Sequence, residues 1–212
     1  EQYSILLPED SAIMHFYGPP VTMHPLSRDV YYTTQRPKIG SAIVRRHAED
    51  GRVSADGFDF GASLGAISPD GRRMVYVTSK GTAVRIHVRD IASGADVGDV
   101  DVENAWNGIA WLDNRTVAIA QALDRQSLVL WDVIEQRKQI PDSISPRIVL
   151  QPSSAGDGKT LLFAIHDVFG STTERDVYAW RNDGSQPTLL VENAQMPMMM
   201  GKDIMLYYRG DG

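Results

Sequence analysis

Residues 61–65 read Gly-Ala-Ser-Leu-Gly and satisfy the Gly-x-Ser-x-Gly pattern that surrounds a nucleophilic serine. A nucleophile elbow of this kind needs a buried strand before the serine and a helix after it. Here Asp56-Gly57-Phe58-Asp59 precedes the pattern, and a segment ending in Ser68-Pro69-Asp70-Gly71 follows it. We therefore interpret Gly57 to Gly65 as a glycine-rich passage between two sheets, and we assign no catalytic residue to this chain.

Candidate metal ligands are scattered along the sequence. The five histidines are His15, His24, His47, His87 and His166, and no two of them lie at the i, i+2 or i, i+4 spacing of a local metal site. The methionines Met196, Met198, Met199 and Met200 have the softness that copper prefers, but no histidine or cysteine accompanies them. We expect these methionines to serve as apolar filling of an inner strand. We expect neither a metal nor a cofactor to bind this chain.

Four other patterns have structural explanations. Asp59-Phe60-Gly61 lacks the phosphate loop and catalytic loop of a kinase. Arg209-Gly210-Asp211 and the sequon Asn114-Arg115-Thr116 both fall at turns, which need glycine, aspartate or asparagine anyway. The acidic run from Asp99 to Glu103 forms either a solvated rim or an attractor for a peptide amine.

Composition limits the classes of molecule that we expect this chain to bind. The chain has 212 residues and a formal net charge of −6, from 21 basic and 27 acidic residues, so nucleic acid and anionic membranes are poor partners. It contains no cysteine, which excludes disulfides and thiol catalysis, and no apolar run has the length of a membrane span. We expect a soluble protein, and the sequence does not decide between cytoplasm and periplasm.

A repeat organises the chain. Ser68-Pro69-Asp70-Gly71 has the chemistry of a tight turn, and Met74 to Val77 after it are apolar and β-prone, as in a strand buried on both faces. The first apolar residue after such a turn recurs at intervals of 44, 43, 44 and 43 residues, at Val30, Met74, Val117, Leu161 and Ile204. A period in the low forties is typical of β-propeller blades. The sequence therefore predicts an all-β propeller of four-stranded antiparallel blades, with about five blades' worth of chain.

The repeat predicts one domain or domain fragment built of blade units. The units span about residues 1–18, 20–56, 64–103, 107–143, 147–192 and 196–212. The last unit has only two strands, and the period makes Tyr3–Leu7 and Ala12–Tyr17 the third and fourth strands of a preceding blade. The two ends could pair to close a five-bladed ring, or the chain could be part of a larger propeller.

Aromatic residues have a predicted place in this architecture. We expect the four tryptophans to pack between blades. They are Trp106, Trp111, Trp131 and Trp180.

Several segments carry a family resemblance. They are 67–73, Val75-Tyr76, 86–94 (Ile-His-Val-Arg-Asp-Ile-Ala-Ser-Gly), 108–113 (Gly-Ile-Ala-Trp-Leu-Asp), 156–162 and 176–180. In order and separation they resemble the propeller domain of the prolyl oligopeptidase family of serine peptidases, over about four-fifths of the chain. Ser-Pro-Asp-Gly blades also occur in TolB-type propellers. WD repeats fit less well, because only Trp131-Asp132 matches their closing pair.

The resemblance implies a function. In that family the propeller is a non-catalytic cap on an α/β-hydrolase domain, in which it admits short peptides and excludes folded proteins. The implied partners are such a catalytic domain, on the same or a separate chain, and short peptides. The alternatives are a stand-alone scaffold that binds a protein or peptide, and a small enzyme or lectin with polar residues converging on a central channel.

Overall fold

The computed structural model of the chain describes residues 12–13, 21–36, 40–54, 62–80, 83–103, 108–121, 128–144, 148–166, 175–200 and 204–209. Within these ranges every regular element is a β-strand, and the nineteen strands form five antiparallel sheets. The predicted fold of small antiparallel blades is therefore confirmed. We number the sheets blade 1 to blade 5 in chain order.

Blade 1 has an unusual inner edge. Its strands are β1 (Ala12–Ile13), β2 (Val21–Met23), β3 (Val30–Arg36), β4 (Gly40–Arg46) and β5 (Val53–Ser54). The short β2 pairs only with the beginning of β3, and β1 pairs further along the same strand, at Thr34 and Gln35. The two strands therefore share the edge of β3 that faces away from β4.

This pairing corrects one prediction. Ala12–Ile13 belongs to blade 1 and not to the outer part of a preceding blade, because the three residues of β2 leave backbone groups of β3 that β1 pairs. The rest of the predicted run to Tyr17, and the run Tyr3–Leu7, lie outside the described residues.

Blades 2, 3 and 4 are four-stranded meanders. Blade 2 contains β6 (Ala62–Ile67), β7 (Arg73–Lys80), β8 (Ala83–Asp90) and β9 (Asp96–Glu103). Blade 3 contains β10 (Gly108–Trp111), β11 (Thr116–Ala120), β12 (Leu128–Asp132) and β13 (Arg137–Gln139). Blade 4 contains β14 (Ile148–Ser154), β15 (Thr160–His166), β16 (Arg175–Arg181) and β17 (Thr188–Val191).

The start of β6 corrects a second prediction. The blade unit was expected to begin at residue 64, with residues 62 and 63 in the inter-blade passage, but these two residues already pair with β7. The apolar side chains on β7 need an inner strand beside them, and this requirement extends the sheet back to Ala62, which is fully buried. Residues 55–61 lie outside the described part of the chain.

Blade 5 consists of β18 (Ala194–Met200) and β19 (Ile204–Arg209). Within the described residues, β19 pairs only with β18, so its other edge has no strand beside it. On the surface of this pair, Met198, Ile204 and Leu206 are 43–55% exposed. The described strands therefore do not form a closed ring.

The core lies between blades, because side chains alternate between the two faces of a strand. On β11, Val117 and Ile119 pack in a cluster with blade 2, whereas Ala118 and Ala120 pack in a cluster with blade 4. All four side chains are fully buried. A continuous apolar run is what a strand covered on both faces requires, so the sequence pattern follows from the stacking.

Tryptophans join the stacked sheets. Trp111 and Trp131 are buried in the cluster between blades 2 and 3, where Trp111 donates its Nε1–H to the Ala66 carbonyl at 3.2 Å. Trp180 is buried between blades 3 and 4 and donates to Ser143 Oγ at 2.9 Å. The predicted packing between blades is confirmed for these three, and Trp106 lies outside the described residues.

We predict that Phe163→Ala lowers the free energy of unfolding by about 3–5 kcal/mol, because truncating a buried aromatic loses burial and leaves a cavity. Phe163 is fully buried between blades 3 and 4. Urea unfolding followed by tryptophan fluorescence measures the change. Leu190→Ala on outer strand β17 is the control, since Leu190 is 45% exposed. Equal losses for the two variants would contradict the inter-blade core.

Candidate binding face

The connection pattern places two sets of turns at one end of the molecule. In a four-stranded meander, the turn between the first two strands and the turn between the last two lie at the same end of the sheet. The first turns of blades 1 to 4 occupy residues 24–29, 68–72, 112–115 and 155–159. We call these four segments the turn face.

The turn face is linked from blade to blade. His24 Nε2 lies 2.8 Å from the Gly71 carbonyl oxygen, which joins blades 1 and 2. Asn114 in blade 3 accepts the Asp70 N–H through Oδ1 at 2.9 Å, and its carbonyl accepts a 2.7 Å hydrogen bond from Arg73. A Cβ placed on Gly158 in blade 4 would lie 3.8 Å from Cβ of Asp113 in blade 3. The four first turns therefore form one continuous row.

Aspartates hold these turns in shape. Asp70, Asp113 and Asp157 occupy equivalent positions, and each accepts the backbone N–H of the residue two places later, at 3.0, 2.7 and 2.9 Å. Burial acts to raise the pKa of Asp70 and of Asp157, but hydrogen bonds from Ser68 and Thr160, together with those backbone donors, lower both values overall. A carboxylate with a lowered pKa is a poor proton donor or acceptor near neutral pH. Asp70 and Asp157 therefore supply shape rather than proton transfer.

Blade 1 has a different anchor. Asp29 is 4% exposed and accepts hydrogen bonds from Ala48 N–H, Ser27 Oγ and Arg45 Nε, each at 2.8 Å. Burial acts to raise the pKa of Asp29, but these hydrogen bonds and the charge of Arg45 lower it from 3.8 to about 2. The single carboxylate thus joins the first turn of blade 1, strand β4 and the outer turn. We use this last name for the turn between the last two strands of a blade.

In the outer turns, aspartates at the surface likewise accept hydrogen bonds from residues of their own turn. The pKa of Asp90 is lowered by its hydrogen bonds from Ser93, and that of Asp183 by hydrogen bonds from Ser185. Arg115 of the first turn pairs with Asp132 at the end of β12 and with Glu135 in the outer turn, at 2.9 and 3.0 Å, and these partners raise its pKa. The ion pairs tie the two turns of blade 3 to each other.

The candidate nucleophile is not at a strand-to-helix turn. Ser63 lies inside β6, where its backbone is in register with Val77 of β7. The interpretation that residues 61–65 are not a nucleophile elbow agrees with this position. Residues 59–61 of the kinase-like triplet lie outside the described residues, as do Gly210 and Asp211.

The described histidine side chains lie in separate places. His47 contacts Ser54 Oγ at 3.1 Å, and His87 contacts Thr78 Oγ1 at 2.8 Å while stacking on Tyr76. His24 links two first turns, as described above. In the part of the chain that the structure describes, no three His, Cys, Asp or Glu side chains are arranged to hold a metal ion. In the same part, no helix has the length and apolar character needed to cross a membrane.

The methionine segment only partly follows the prediction. Met196 and Met198 do lie on an inner strand, β18, but their side chains are 55% and 47% exposed. They fill no core within the described residues, because no described sheet covers that face of blade 5.

The acidic run lies on the outer strand β9, where Asp99 and Asp101 both pair with Arg85. This position on the outer strand agrees with a solvated rim.

Three inner strands carry a β-bulge. The pairing of β6, β14 and β18 shifts by one residue at Gly65, at Gln151-Pro152 and at Met196-Pro197. Gln151 and Met196 have φ angles of 52° and 56°, and Gln151 Oε1 accepts the Met196 N–H at 3.1 Å. These bulges were not predicted from the sequence, although a proline follows the bulged residue in both blades 4 and 5.

The comparisons with known proteins show the fold of this chain. The chain matches no protein-family profile. It also matches no curated protein sequence. Among solved structures it is similar to a TolB protein from Agrobacterium tumefaciens, with a TM-score of 0.68 at 17% identity over 82% of this chain and 64% of that one.

Two peptidase-associated propellers are also similar. A prolyl endopeptidase structure matches with a TM-score of 0.58 at 18% identity, over 85% of this chain and 29% of that one. The propeller domain of the trilobed protease from Pyrococcus furiosus, whose topology is described as an open velcro, matches with a TM-score of 0.58 at 13% identity, over 90% and 60%. The chain is a β-propeller by fold, and it spans less than two thirds of the length of each of these neighbours.

We predict that Asp29→Asn lowers the free energy of unfolding at pH 7 by about 2 kcal/mol, because lowering the pKa of this carboxyl group from 3.8 to about 2 corresponds to that stabilisation. The folded pKa lies below the unfolded one, so this stabilisation is present above about pH 4 and is lost as the pH falls towards 2. The variant should therefore show a flatter acid limb in urea unfolding between pH 4 and 2. Asp101→Asn, at an exposed ion pair, is the matched control, and equal effects would contradict the assignment.

We predict opposite effects for glycine at two neighbouring methionines. Met196→Gly should leave stability unchanged or raise it by about 0.5 kcal/mol, because glycine relieves the left-handed backbone and the lost side chain is half exposed. Met198→Gly should lower stability by about 1 kcal/mol, since it only adds glycine to a strand. Thermal unfolding compares the two variants, and a similar loss in both would show that the bulge carries no backbone strain.

Proposed function

We propose that this chain is the non-catalytic, substrate-screening propeller portion of a serine peptidase that resembles the prolyl oligopeptidases. Its working partner is an α/β-hydrolase catalytic domain, on the same or a separate chain, and its substrates are short peptides. The family resemblance of the blades and the likeness to a prolyl endopeptidase structure support this proposal.

The hydrogen bonds of the turn face give the strongest structural support for this proposal. The aspartates of the turn face bind the backbone of their own turns, and side chains of one turn bind the next blade. A row of turns fixed in this way presents a rigid surface whose polar groups are already engaged. Such a surface suits docking and exclusion by shape better than proton transfer.

A second candidate function has support of its own. The TM-scores of 0.68 and 0.66 to TolB proteins from Agrobacterium tumefaciens and Acinetobacter baumannii are higher than that to the peptidase. They favour a scaffold that binds a protein or peptide and serves no peptidase. The two candidates share the non-catalytic propeller and differ in the partner.

An activity-based experiment separates the candidates. The chain is tagged at its native locus, with whatever sequence is naturally continuous with it, and purified together with its bound proteins under mild conditions. We expect a fluorophosphonate probe to label a serine hydrolase in the purified material, on the same polypeptide or a bound one. We also expect this material to cleave a short fluorogenic prolyl peptide. A purified complex without a labelled hydrolase and without that cleavage would overturn the peptidase proposal and favour the scaffold.

Substrate length tests the screening role. We expect the same material to cleave a proline-containing decapeptide and to spare an unfolded protein that carries the same site. Asn114→Ala, which removes the hydrogen bond between the first turns of blades 2 and 3, should increase cleavage of the longer substrate and leave the decapeptide rate unchanged. Asn182→Ala, in an outer turn, is the control. Equal cleavage of both substrates by the unmodified protein would contradict screening.

A further inference from the structure

The first turns of blades 1 to 4 carry a basic residue at the same position. A backbone hydrogen bond closes each of these turns, and the accepting carbonyls belong to Asp29, Arg73, Thr116 and Thr160. The residue immediately before each of these four is basic. We call these basic residues the basic row: Arg28, Arg72, Arg115 and Lys159. Lys202 has the same place in the sequence, two residues before Ile204 of the repeat, and lies outside the described residues.

The turns do not need these cations for their own shape. The aspartates of blades 2 to 4 bind the backbone N–H groups of Arg72, Arg115 and Lys159, which any residue except proline supplies. All four side chains of the basic row are exposed. Among the described residues, those of Arg28, Arg72 and Lys159 make neither a hydrogen bond nor an ion pair, whereas Arg115 pairs with two carboxylates of its own blade. The three cations are therefore available to a ligand.

Stacking of the sheets sets the spacing of the basic row. Sheets that pack face to face lie about 10 Å apart. Neighbouring first turns are in contact, through His24 and Gly71 between blades 1 and 2 and through Asp70 and Asn114 between blades 2 and 3. The cations therefore recur about every 10 Å along the row, which is the length of about three residues of an extended chain.

The outer turns, at the same end of the molecule, have the opposite charge. Between the last two strands of blades 1 to 4 lie Glu49, Asp50, Glu135 and Asp183, against one basic residue, Arg52. A broad polyanion such as a membrane or a nucleic-acid duplex would bring its own negative charges against these carboxylates, which is unfavourable. The turn face therefore favours a narrow ligand that carries separate negative charges along the basic row.

We propose that the basic row binds an extended segment of a partner protein with a carboxylate at about every third residue. Arg28 and Arg72 each bind one carboxylate through their guanidinium N–H groups, which can donate two parallel hydrogen bonds to it. Lys159 binds a third carboxylate as a point charge. This inference rests on the proposed function only in that the partner is a protein, and it applies equally to a hydrolase domain and to any other protein that docks on the propeller.

A synthetic peptide tests the recognition. The probe is a fluorescein-labelled peptide of four Glu-Gly-Ser repeats, and the matched peptide has the same composition with its glutamates in succession at one end. Fluorescence anisotropy measures the binding of both to the full chain at low ionic strength. We expect the spaced peptide to bind about tenfold more tightly, and added salt to weaken its binding because exposed charges are screened. Equal affinities for the two peptides would overturn the proposal.

Substitutions locate the site. We expect the triple variant Arg28→Gln, Arg72→Gln and Lys159→Gln to raise the Kd of the spaced peptide about tenfold, since each exposed ion pair contributes a factor of about 1.4 to 5. Arg209→Gln is the control, because Arg209 is exposed and pairs with Ala194 at the start of β18, at the opposite end from the first turns. An equal rise in both variants would show that the peptide responds to net charge and would contradict a site on the turn face.

A single position keeps the test independent of folding defects in the triple variant. We expect Arg72→Lys to retain most of the affinity for the spaced peptide and Arg72→Gln to weaken it about threefold. Equal affinities of these two variants would refute a role for the charge.

Two polyanions separate a protein segment from other ligands. Phosphatidylserine vesicles and a DNA duplex are mixed with the same chain. Tighter binding of either one than of the spaced peptide, lost in the triple variant, would overturn the proposal. All these measurements use this chain without a partner, so their failure leaves the hydrolase labelling of the purified complex unaffected. Conversely, a complex without a labelled hydrolase would not change the peptide result.

Discussion

Apolar packing between the faces of neighbouring sheets holds this structure together. A strand in blade 3 buries its odd-numbered side chains against blade 2 and its even-numbered side chains against blade 4. Burying a large apolar side chain contributes about 1.5–3 kcal/mol. Neighbouring blades therefore stabilise each other, and a strand such as β11, which is covered on both faces, has no polar face.

Packing between the sheets stabilises the fold, so the turns contribute in a different way. Each first turn reverses the chain in a few residues and leaves backbone N–H groups that need acceptors. Aspartates in blades 2 to 4 and a histidine in blade 1 provide these acceptors, and Asn114 and His24 extend the bonding to the next blade. The resulting surface is rigid and polar, and this character underlies the proposed role in docking and screening.

Much of the fold could be predicted because short stretches of sequence specify each repeat. Ser68-Pro69-Asp70-Gly71 and the apolar residues from Met74 to Val77 specify a turn and a two-sided strand without knowledge of their neighbours. The pairing of Ala12–Ile13 with β3 could not be predicted, because it depends on how much of that edge β2 leaves open. The His24 contact was hidden for a similar reason. A lone histidine carries no local pattern, and its partner Gly71 is 47 residues away.

Successive sheets stack so that the first turns of neighbouring blades meet, and an engineered disulfide between two such turns tests this arrangement. The chain has no cysteine, and the Cβ positions of Asp113 in blade 3 and Gly158 in blade 4 are 3.8 Å apart, within the range of natural disulfides. We predict that the double variant Asp113→Cys with Gly158→Cys forms an intramolecular disulfide on mild oxidation, whereas Asp113→Cys with Gly184→Cys, in the outer turn of blade 4, does not. If the first pair stayed reduced in a folded protein, or the second pair formed equally well, the stacking described for these blades would be contradicted.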